Sequence, residues 1–127
     1  MLEPKTILLV EDDASLRLVF SRILSGAGYQ VVEAETADEA APILGSNRPL
    51  DLLLTDLLMP GRLDGLDLAH LAGTLRPRLK VLFTTAYSGP TFDEAQAMSA
   101  GRVLRKPFRA DDLLRAVSST LGIVNLP

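Results

Sequence analysis

The sequence predicts an α/β domain in which helices cover both faces of a parallel sheet. Short apolar runs alternate with helix-like segments from one end of the chain to the other. Five such strand–helix units follow one another, and consecutive units of this kind join parallel strands through right-handed crossovers. Polar residues follow several of the apolar runs. The carboxyl ends of parallel strands meet at one edge of the sheet, and binding sites of such sheets lie at that edge.

The first strand and helix begin the chain. Residues 6–10 form a short apolar run, which is typical of a buried strand. The helix after it has apolar residues spaced three and four apart, which predicts one buried face made of Leu16, Val19, Phe20, Ile23 and Leu24. Either Asp12 or Asp13 can cap its start. Either Gly26 or Gly28 can end it.

The second and third strands are predicted at residues 29–34 and 51–55, with one helix between them. Thr36 and Glu39 have the spacing of a capping box, so this helix should begin just after Thr36. Pro42 lies inside the helix pattern, where it should kink or weaken the helix.

The second half of the chain continues the alternation. Residues 66–75 predict the third helix, which an Arg-Pro pair ends, and residues 80–84 predict the fourth strand. Residues 92–99 form a short, weak helix pattern, and residues 103–105 a short fifth strand. Residues 111–121 predict a closing helix, whose inner face carries Leu113, Leu114, Val117 and Leu121.

Length and composition limit the class of protein. The 127 residues fit one domain, with a core of about residues 5–122. A formal charge of −3 gives no electrostatic case for direct nucleic-acid binding. No apolar stretch approaches the ~20 residues of a membrane span, and the start lacks the apolar core of a signal peptide. Cysteine is absent, which excludes disulfides and thiolate metal sites. We therefore expect a cytoplasmic protein that does not insert into membranes.

Acidic residues follow two of the predicted buried strands. Asp56 ends the third apolar run, and Glu11 and Asp12 follow the first. Strand ends of a parallel sheet meet at one edge, so these carboxylates should lie close together. Such a cluster is unfavourable unless a cation neutralises it, and hard oxygen ligands suit Mg²⁺.

Two more polar residues are predicted at the same edge. Thr85 follows the fourth strand and offers a hydroxyl group, and Lys106 follows the fifth strand and offers a cation. Phosphoryl transfer to Asp56 would create negative charge that Mg²⁺, Lys106 and Thr85 could each stabilise. The one histidine, His70, is predicted on a helix surface, so no histidine-activated serine or cysteine competes for the role of nucleophile.

With these residues the chain resembles the receiver domain of two-component response regulators. Four motifs in order carry the resemblance over nearly the whole chain: Val10-Glu11-Asp12-Asp13-x-x-Leu16-Arg17, Thr55-Asp56-x-x-Met59-Pro60, Thr85-Ala86 and Lys106-Pro107-Phe108. The resemblance implies a flavodoxin-like, doubly wound sheet of five parallel strands in the order 2-1-3-4-5, with five helices. It also implies a cis bond before Pro107.

The resemblance implies a role for each site residue. Asp56 would accept a phosphoryl group from a phosphohistidine on a partner histidine kinase or phosphotransfer protein. Lys106 and Thr85 would respond to the new charge, and Mg²⁺ is required, with Mn²⁺ as a substitute. The metal ligands would be Glu11, Asp12, Asp56 and the backbone carbonyl of Leu58. The implied function is a signalling phosphoacceptor with at most slow self-dephosphorylation, which switches a protein-interaction surface toward an unknown target.

Three features depart from the common pattern of that family. Val103 stands where many receivers have an aromatic residue, so aromatic–threonine coupling cannot operate in its usual form. The loop at residues 61–65 looks one residue longer than usual, as in receivers of hybrid histidine kinases and some stand-alone regulators. Tyr87 stands where many members have a charged residue, which predicts an unusual output face.

Alternatives remain open on the sequence alone. A pseudo-receiver adaptor would keep the fold without phosphorylation, although the complete set of acids, threonine and lysine argues against it. A hydrolase of the haloacid-dehalogenase type would need a second acid where Leu58 stands. A basic rim at Arg102, Arg105 and Arg109 is either solvated or a docking edge for an acidic partner or a second copy. The chain ends at Pro127, just after the last helix, which fits a stand-alone regulator or an excised receiver.

Overall fold

A computed structural model describes residues 3–86 and 94–123 of the chain. Five parallel strands form one sheet in the order β2-β1-β3-β4-β5. The strands are β1 (Thr6–Val10), β2 (Gln30–Ala34), β3 (Leu52–Asp56), β4 (Lys80–Thr85) and β5 (Arg102–Arg105). The helices are α1 (Ala14–Gly26), α2 (Ala37–Leu44), α3 (Gly65–Leu75), α4 (Glu94–Ala100) and α5 (Ala110–Leu121). This topology confirms the predicted flavodoxin-like fold.

The sheet is buried on both faces, which explains the uninterrupted apolar runs of its central strands. Successive side chains of a strand point to opposite faces. Accordingly Leu8 and Val10 of β1 belong to the cluster beneath α2 and α3, with Leu53 of β3. Ile7 and Leu9 belong to the cluster on the other face, beneath α1 and α5. Both strands that precede the acidic residues are therefore fixed from two sides.

Helix α1 begins as predicted, but its buried face is narrower than the predicted one. The side chain of Asp13 caps it by accepting from the backbone N–H groups of Ser15 and Leu16 at 2.9 and 3.1 Å. Phe20 is buried, whereas Val19 is 50% exposed, so the expectation that Val19 lies in the core is wrong. One residue corresponds to about 100° around a helix, which turns Val19 away from a stripe centred near Phe20.

Helix α2 keeps its predicted start and tolerates its proline. The hydroxyl oxygen of Thr36 accepts from the backbone N–H of Glu39 at 3.1 Å. Pro42 lies inside the helix, which still continues to Leu44. The guanidinium of Arg76, just after α3, donates to the carbonyl of Leu44 at 2.9 Å and so supports the end of α2 from outside.

Several predicted ends shift by one or two residues. β2 begins after Tyr29, and β3 begins after Asp51, whose carboxylate instead accepts from the backbone N–H of Thr6 at 2.8 Å. Helix α4 extends to Ala100, and the predicted start of that helix at Phe92 lies outside the described residues. None of the described helices is long and apolar enough to cross a membrane.

Candidate functional site

The acidic residues predicted at the sheet edge do lie together. β1 and β3 are neighbours with Val10 opposite Thr55, so Glu11 and Asp56 emerge side by side. Glu11, Asp12 and Asp56 each offer one carboxylate oxygen, and these atoms lie within 4.8 Å of one another. Glu11 and Asp56 are only 2% and 8% exposed. Two of the three charges are therefore held where water cannot fully solvate them.

The ammonium group of Lys106 lies against two of these acids. Its Nζ donates to Oε1 of Glu11 at 2.7 Å and to Oδ2 of Asp56 at 3.0 Å. The backbone N–H of Lys106 donates to the carbonyl of Thr85 at 2.8 Å, which ties the end of β5 to the end of β4. The peptide bond between Lys106 and Pro107 is cis, as the resemblance implied.

The backbone after β3 is fitted closely around Asp56. The N–H of Leu58 donates to Oδ1 of Asp56 at 3.4 Å, and the hydroxyl of Thr55 donates to the Asp56 carbonyl at 3.0 Å. Gly65, the first residue of α3, approaches so closely that a Cβ there would overlap that carbonyl oxygen. Asp64 precedes it and caps α3, accepting from the N–H of Asp67 at 2.9 Å. The start of α3 is thus part of the wall behind the site.

Arg17 supports the other side of the cluster. Its Nη1 donates to the backbone carbonyl of Glu11 at 2.8 Å, and its Nε lies 3.5 Å from Oε1 of Glu33 on β2. The carboxylate of Glu11 also accepts from the N–H of Asp13 at 3.1 Å. Arg17 belongs to the first sequence motif, but the sequence alone gave it no role of its own.

Burial and charge act in opposite directions on the acids. Burial raises the pKa of Asp56 above its usual range, the hydrogen bond from Lys106 lowers it in part, and the nearby charge of Asp12 raises it further. Burial likewise raises the pKa of Glu11, against the lowering effect of Lys106. Burial alone would lower the pKa of Lys106, but its bonds to Glu11 and Asp56 leave that pKa raised. The cluster therefore favours a positive charge in its midst.

The remaining predicted site residues lie around this centre. Thr84 and Thr85 are both buried at the end of β4, with Thr84 opposite Asp56 in the register. Leu58 is 53% exposed and reaches Asp56 through its backbone amide. Val103 is half-buried against the cluster that contains Phe83. Tyr87 lies outside the described residues.

The surface residues singled out in the sequence are exposed. His70 lies on the outer face of α3, as predicted. Arg102, Arg105 and Arg109 are all exposed. The guanidinium of Arg102 donates to the hydroxyl of Ser119 at 2.6 Å, which links β5 to α5. Arg109 occupies the capping position of α5. Arg102 and Arg109 therefore each have a structural part in this rim.

The donor set fits a hard divalent cation. Three carboxylates and one ammonium leave a formal charge of −2 at the cluster. Oxygens on opposite sides of Mg²⁺ stand about 4.2 Å apart, at about 2.1 Å from the ion. The oxygens of Glu11, Asp12 and Asp56 lie within 4.8 Å of one another, which is close to the span of one such coordination shell. Glu11, Asp12 and Asp56 could thus hold the ion.

Comparison with known proteins finds consistent relatives. A family model described as the response regulator receiver domain matches residues 7–118. The response regulator receiver protein CpdR of Brucella abortus is 36% identical over 118 residues, which cover 92% of this chain and 97% of CpdR. The response regulator protein FleR of Pseudomonas aeruginosa is 39% identical over 113 residues, which cover 88% of this chain but 24% of FleR.

The fold comparison agrees. The crystal structure of a CheY-like response regulator receiver domain protein from Methanospirillum hungatei JF-1 superposes with a TM-score of 0.84 at 30% identity. The superposition covers 94% of each chain.

Proposed function

Because this chain belongs to the response regulator receiver domain family of two-component systems, we propose that it is a phosphoacceptor whose phosphorylated residue is Asp56. The observation that carries the proposal is the cluster of Glu11, Asp12 and Asp56 with Lys106 bonded into it. Burying two carboxylates and a lysine costs desolvation free energy, which an arrangement that served only the fold could avoid with apolar residues.

In the proposed reaction an oxygen of Asp56 forms a bond to phosphorus while the P–N bond of a partner's phosphohistidine breaks. The Asp56 carboxylate is pre-oriented, since Leu58 donates to one oxygen and Lys106 to the other. Fixed orientation of a reacting group lowers the entropic part of the barrier. Lys106 lies close enough to follow the new negative charge, and Thr85 ends the neighbouring strand.

The proposed metal is Mg²⁺, with Mn²⁺ as a substitute. Its ligands would be Glu11, Asp12, Asp56 and the backbone carbonyl of Leu58. When bound, the ion would neutralise charge on the transferring phosphoryl group. Phosphoryl transfer of this type needs mainly positioning and electrostatic stabilisation, and the residues at this edge supply both.

The partner in this proposal is a histidine kinase or histidine phosphotransfer protein, which supplies the phosphoryl group in the cytoplasm. The protein itself is a signalling module, with hydrolysis limited to slow loss of its own phosphoryl group. Its output is a changed protein-interaction surface rather than direct binding of nucleic acid or a membrane. A second copy of the chain is one candidate for the contact that the surface makes.

The switch would begin as a local electrostatic event at Asp56 that biases a two-state element. Phosphorylation would draw Lys106 and Thr85 toward the new charge and shift the loop after β4. Val103 is too small to reproduce an aromatic residue that moves between two positions. Replacing Val103 with Tyr should therefore strengthen the coupling between phosphorylation and partner binding; unchanged coupling would count against this view.

Intact mass spectrometry tests the proposal directly. The wild-type protein is incubated with Mg²⁺ and acetyl phosphate beside an Asp56→Asn variant. We expect one added phosphoryl group on the wild type, absent with EDTA and absent in the variant. No adduct under any condition, together with no binding of beryllofluoride as a phosphoryl mimic, would favour the pseudo-receiver adaptor instead.

A further inference from the structure

The loop that follows the proposed acceptor, residues 57–64, is held from the side by helix α2. Two of its apolar side chains, Met59 and Leu63, pack against the buried cluster to which Ala37 and Ala40 of α2 belong. The loop is therefore packed against this cluster on both sides of its midpoint.

A carboxylate of α2 also reaches the middle of this loop. Oδ2 of Asp38 accepts from the backbone N–H of Arg62 at 3.0 Å. The neighbouring Gly61 has a φ of 115°, a conformation that glycine adopts far more readily than other residues. A Cβ at Gly61 would lie 2.8 Å from the same Asp38 oxygen. Asp38 and the loop are thus fitted to each other at two consecutive residues.

The conformation of the loop matters because of the residue at its start. Leu58 donates its N–H to Oδ1 of Asp56 at 3.4 Å, and only two residues separate it from Gly61. A displacement of Gly61 would therefore be passed to Leu58 through a short piece of backbone. Asp38 is a firm anchor, since it lies in the first turn of α2, whose start Thr36 caps.

We propose that Asp38 is a positioning residue for phosphoryl transfer. Its bond to the amide of Arg62 fixes the loop in the conformation from which Leu58 completes the metal site. Asp38 touches neither the phosphoryl group nor the metal in this scheme and acts only through the backbone of the loop. The proposal rests on the proposed function of Asp56. It also gives a purpose to the close fit of Asp38 against Gly61 and Arg62.

The test compares Asp38→Ala and Asp38→Asn with Glu39→Ala, a control at the next position of α2, which is also exposed. The affinity for Mg²⁺ alone is measured by backbone amide NMR titration of the unphosphorylated protein. We expect Asp38→Ala to weaken Mg²⁺ binding about tenfold, the lower end of what loss of a group that orients a ligand does. Asp38→Asn, which keeps an oxygen acceptor, should remain within about twofold of the wild type. Glu39→Ala should bind Mg²⁺ as the wild type does.

Two further readouts separate positioning from a general loss of structure. In metal-free protein, amide hydrogen exchange at Arg62 and Leu58 should accelerate in Asp38→Ala, while exchange in β1 and β3 stays unchanged. With acetyl phosphate, the Mg²⁺ concentration for half-maximal acyl-phosphate formation should rise, and the rate at saturating Mg²⁺ should stay within about twofold. Gly61→Ala, which pushes the loop away from Asp38, should give the same pattern.

The outcomes are distinguishable. If the wild type binds Mg²⁺ and is phosphorylated, and Asp38→Ala and Gly61→Ala match it in both measurements, Asp38 has no positioning role. A lower melting temperature in Asp38→Ala without a change in Mg²⁺ affinity would equally overturn the inference. A wild type that takes up neither Mg²⁺ nor a phosphoryl group would overturn the proposed function, and this inference with it.

Discussion

Replacing Asp56 with Asn should make the metal-free protein more stable. The substitution removes one negative charge from a cluster that holds three, while the amide oxygen can still accept from the N–H of Leu58. Lys106 keeps its bond to Glu11 at 2.7 Å in the variant. The amide NH₂ takes the place of the oxygen that accepted from Lys106, so the substitution removes one charge and one hydrogen bond.

Its magnitude follows from the distances. At an effective dielectric constant of about 20, two like charges 4.8 Å apart repel by about 3.5 kcal/mol. Asp56 has two such neighbours, Glu11 and Asp12, and the substitution removes the repulsion from both. It also removes the attraction between Asp56 and Lys106, which at 3.0 Å is about 5.5 kcal/mol. Screening by water weakens the repulsion between Asp12 and Asp56. The variant also no longer buries a charge at position 56, which adds to its stability. We expect the free energy of unfolding to rise by about 1–2 kcal/mol.

The assay is urea or thermal unfolding at pH 7 in EDTA and low salt. The gain corresponds to a rise in melting temperature of roughly 3–6 °C per kcal/mol for a domain of this size. Glu35→Gln removes one exposed carboxylate and serves as the control, with an expected change within about 0.5 kcal/mol. An Asp56→Asn variant that is less stable than the wild type under these conditions would refute the electrostatic reasoning.

The stability advantage of Asp56→Asn should also depend on pH in a definite direction. Burial raises the pKa of Asp56, so the folded protein holds this proton more tightly than the unfolded chain does. Stability contributed by Asp56 is then greatest when the carboxyl is protonated and falls as pH rises from about 3.9 through the raised pKa. Asn does not titrate, so the advantage of the variant should be small at the acid end of this window and open toward pH 7. An advantage that does not change with pH would point to a cause other than charge.

Three other substitutions test neighbouring parts of the structure. Lys106→Met leaves the carboxylates without their partner and should cost about 3 kcal/mol in urea unfolding at pH 7, with less loss near pH 4. Gly65→Ala places a Cβ against the carbonyl of Asp56, so it should lower both the melting temperature and the rate of phosphorylation by acetyl phosphate. The control is Gly73→Ala, in open space on the same helix. It should leave the rate unchanged and raise the free energy of unfolding by up to about 1 kcal/mol. Arg76→Lys loses the forked contacts with the carbonyls of Leu44, at the end of α2, and Ser46, just after it, and should cost about 1 kcal/mol by thermal unfolding. No loss would show that water replaces these contacts.

The sequence is most informative where the signal is local or periodic. Thr36 marks the start of α2 because a capping hydroxyl acts within one turn. Val19 was assigned wrongly because spacing alone does not show how wide a stripe the packing buries. Asp51 was placed in β3 because it adjoins an apolar run, yet its carboxylate bonds to the amide of Thr6, a partner 45 residues away. Such contacts leave no periodic trace in the chain.

The same distinction applies to the site. Glu11 and Asp56 could be predicted together because the topology of a parallel sheet brings strand ends to one edge. The contacts of Arg17 with the Glu11 carbonyl and of Asp38 with the Arg62 amide could not be predicted, since both side chains bond to backbone groups of other segments. A hydrogen bond to a backbone group places no demand on the residue type at the other end, so the sequence records only one of its two partners.

The position of Asp56 in the sheet limits how a change of charge can spread. β3 is the central strand, paired with β1 and β4 and buried on both faces, so its backbone has little freedom to move. Lys106 follows β5, which lies at the edge of the sheet and pairs with β4. A new charge on Asp56 must therefore be accommodated by side chains and loops around a fixed strand. We expect β4, β5 and the loop held by Asp38 to respond, whereas β1 and β2 keep their register.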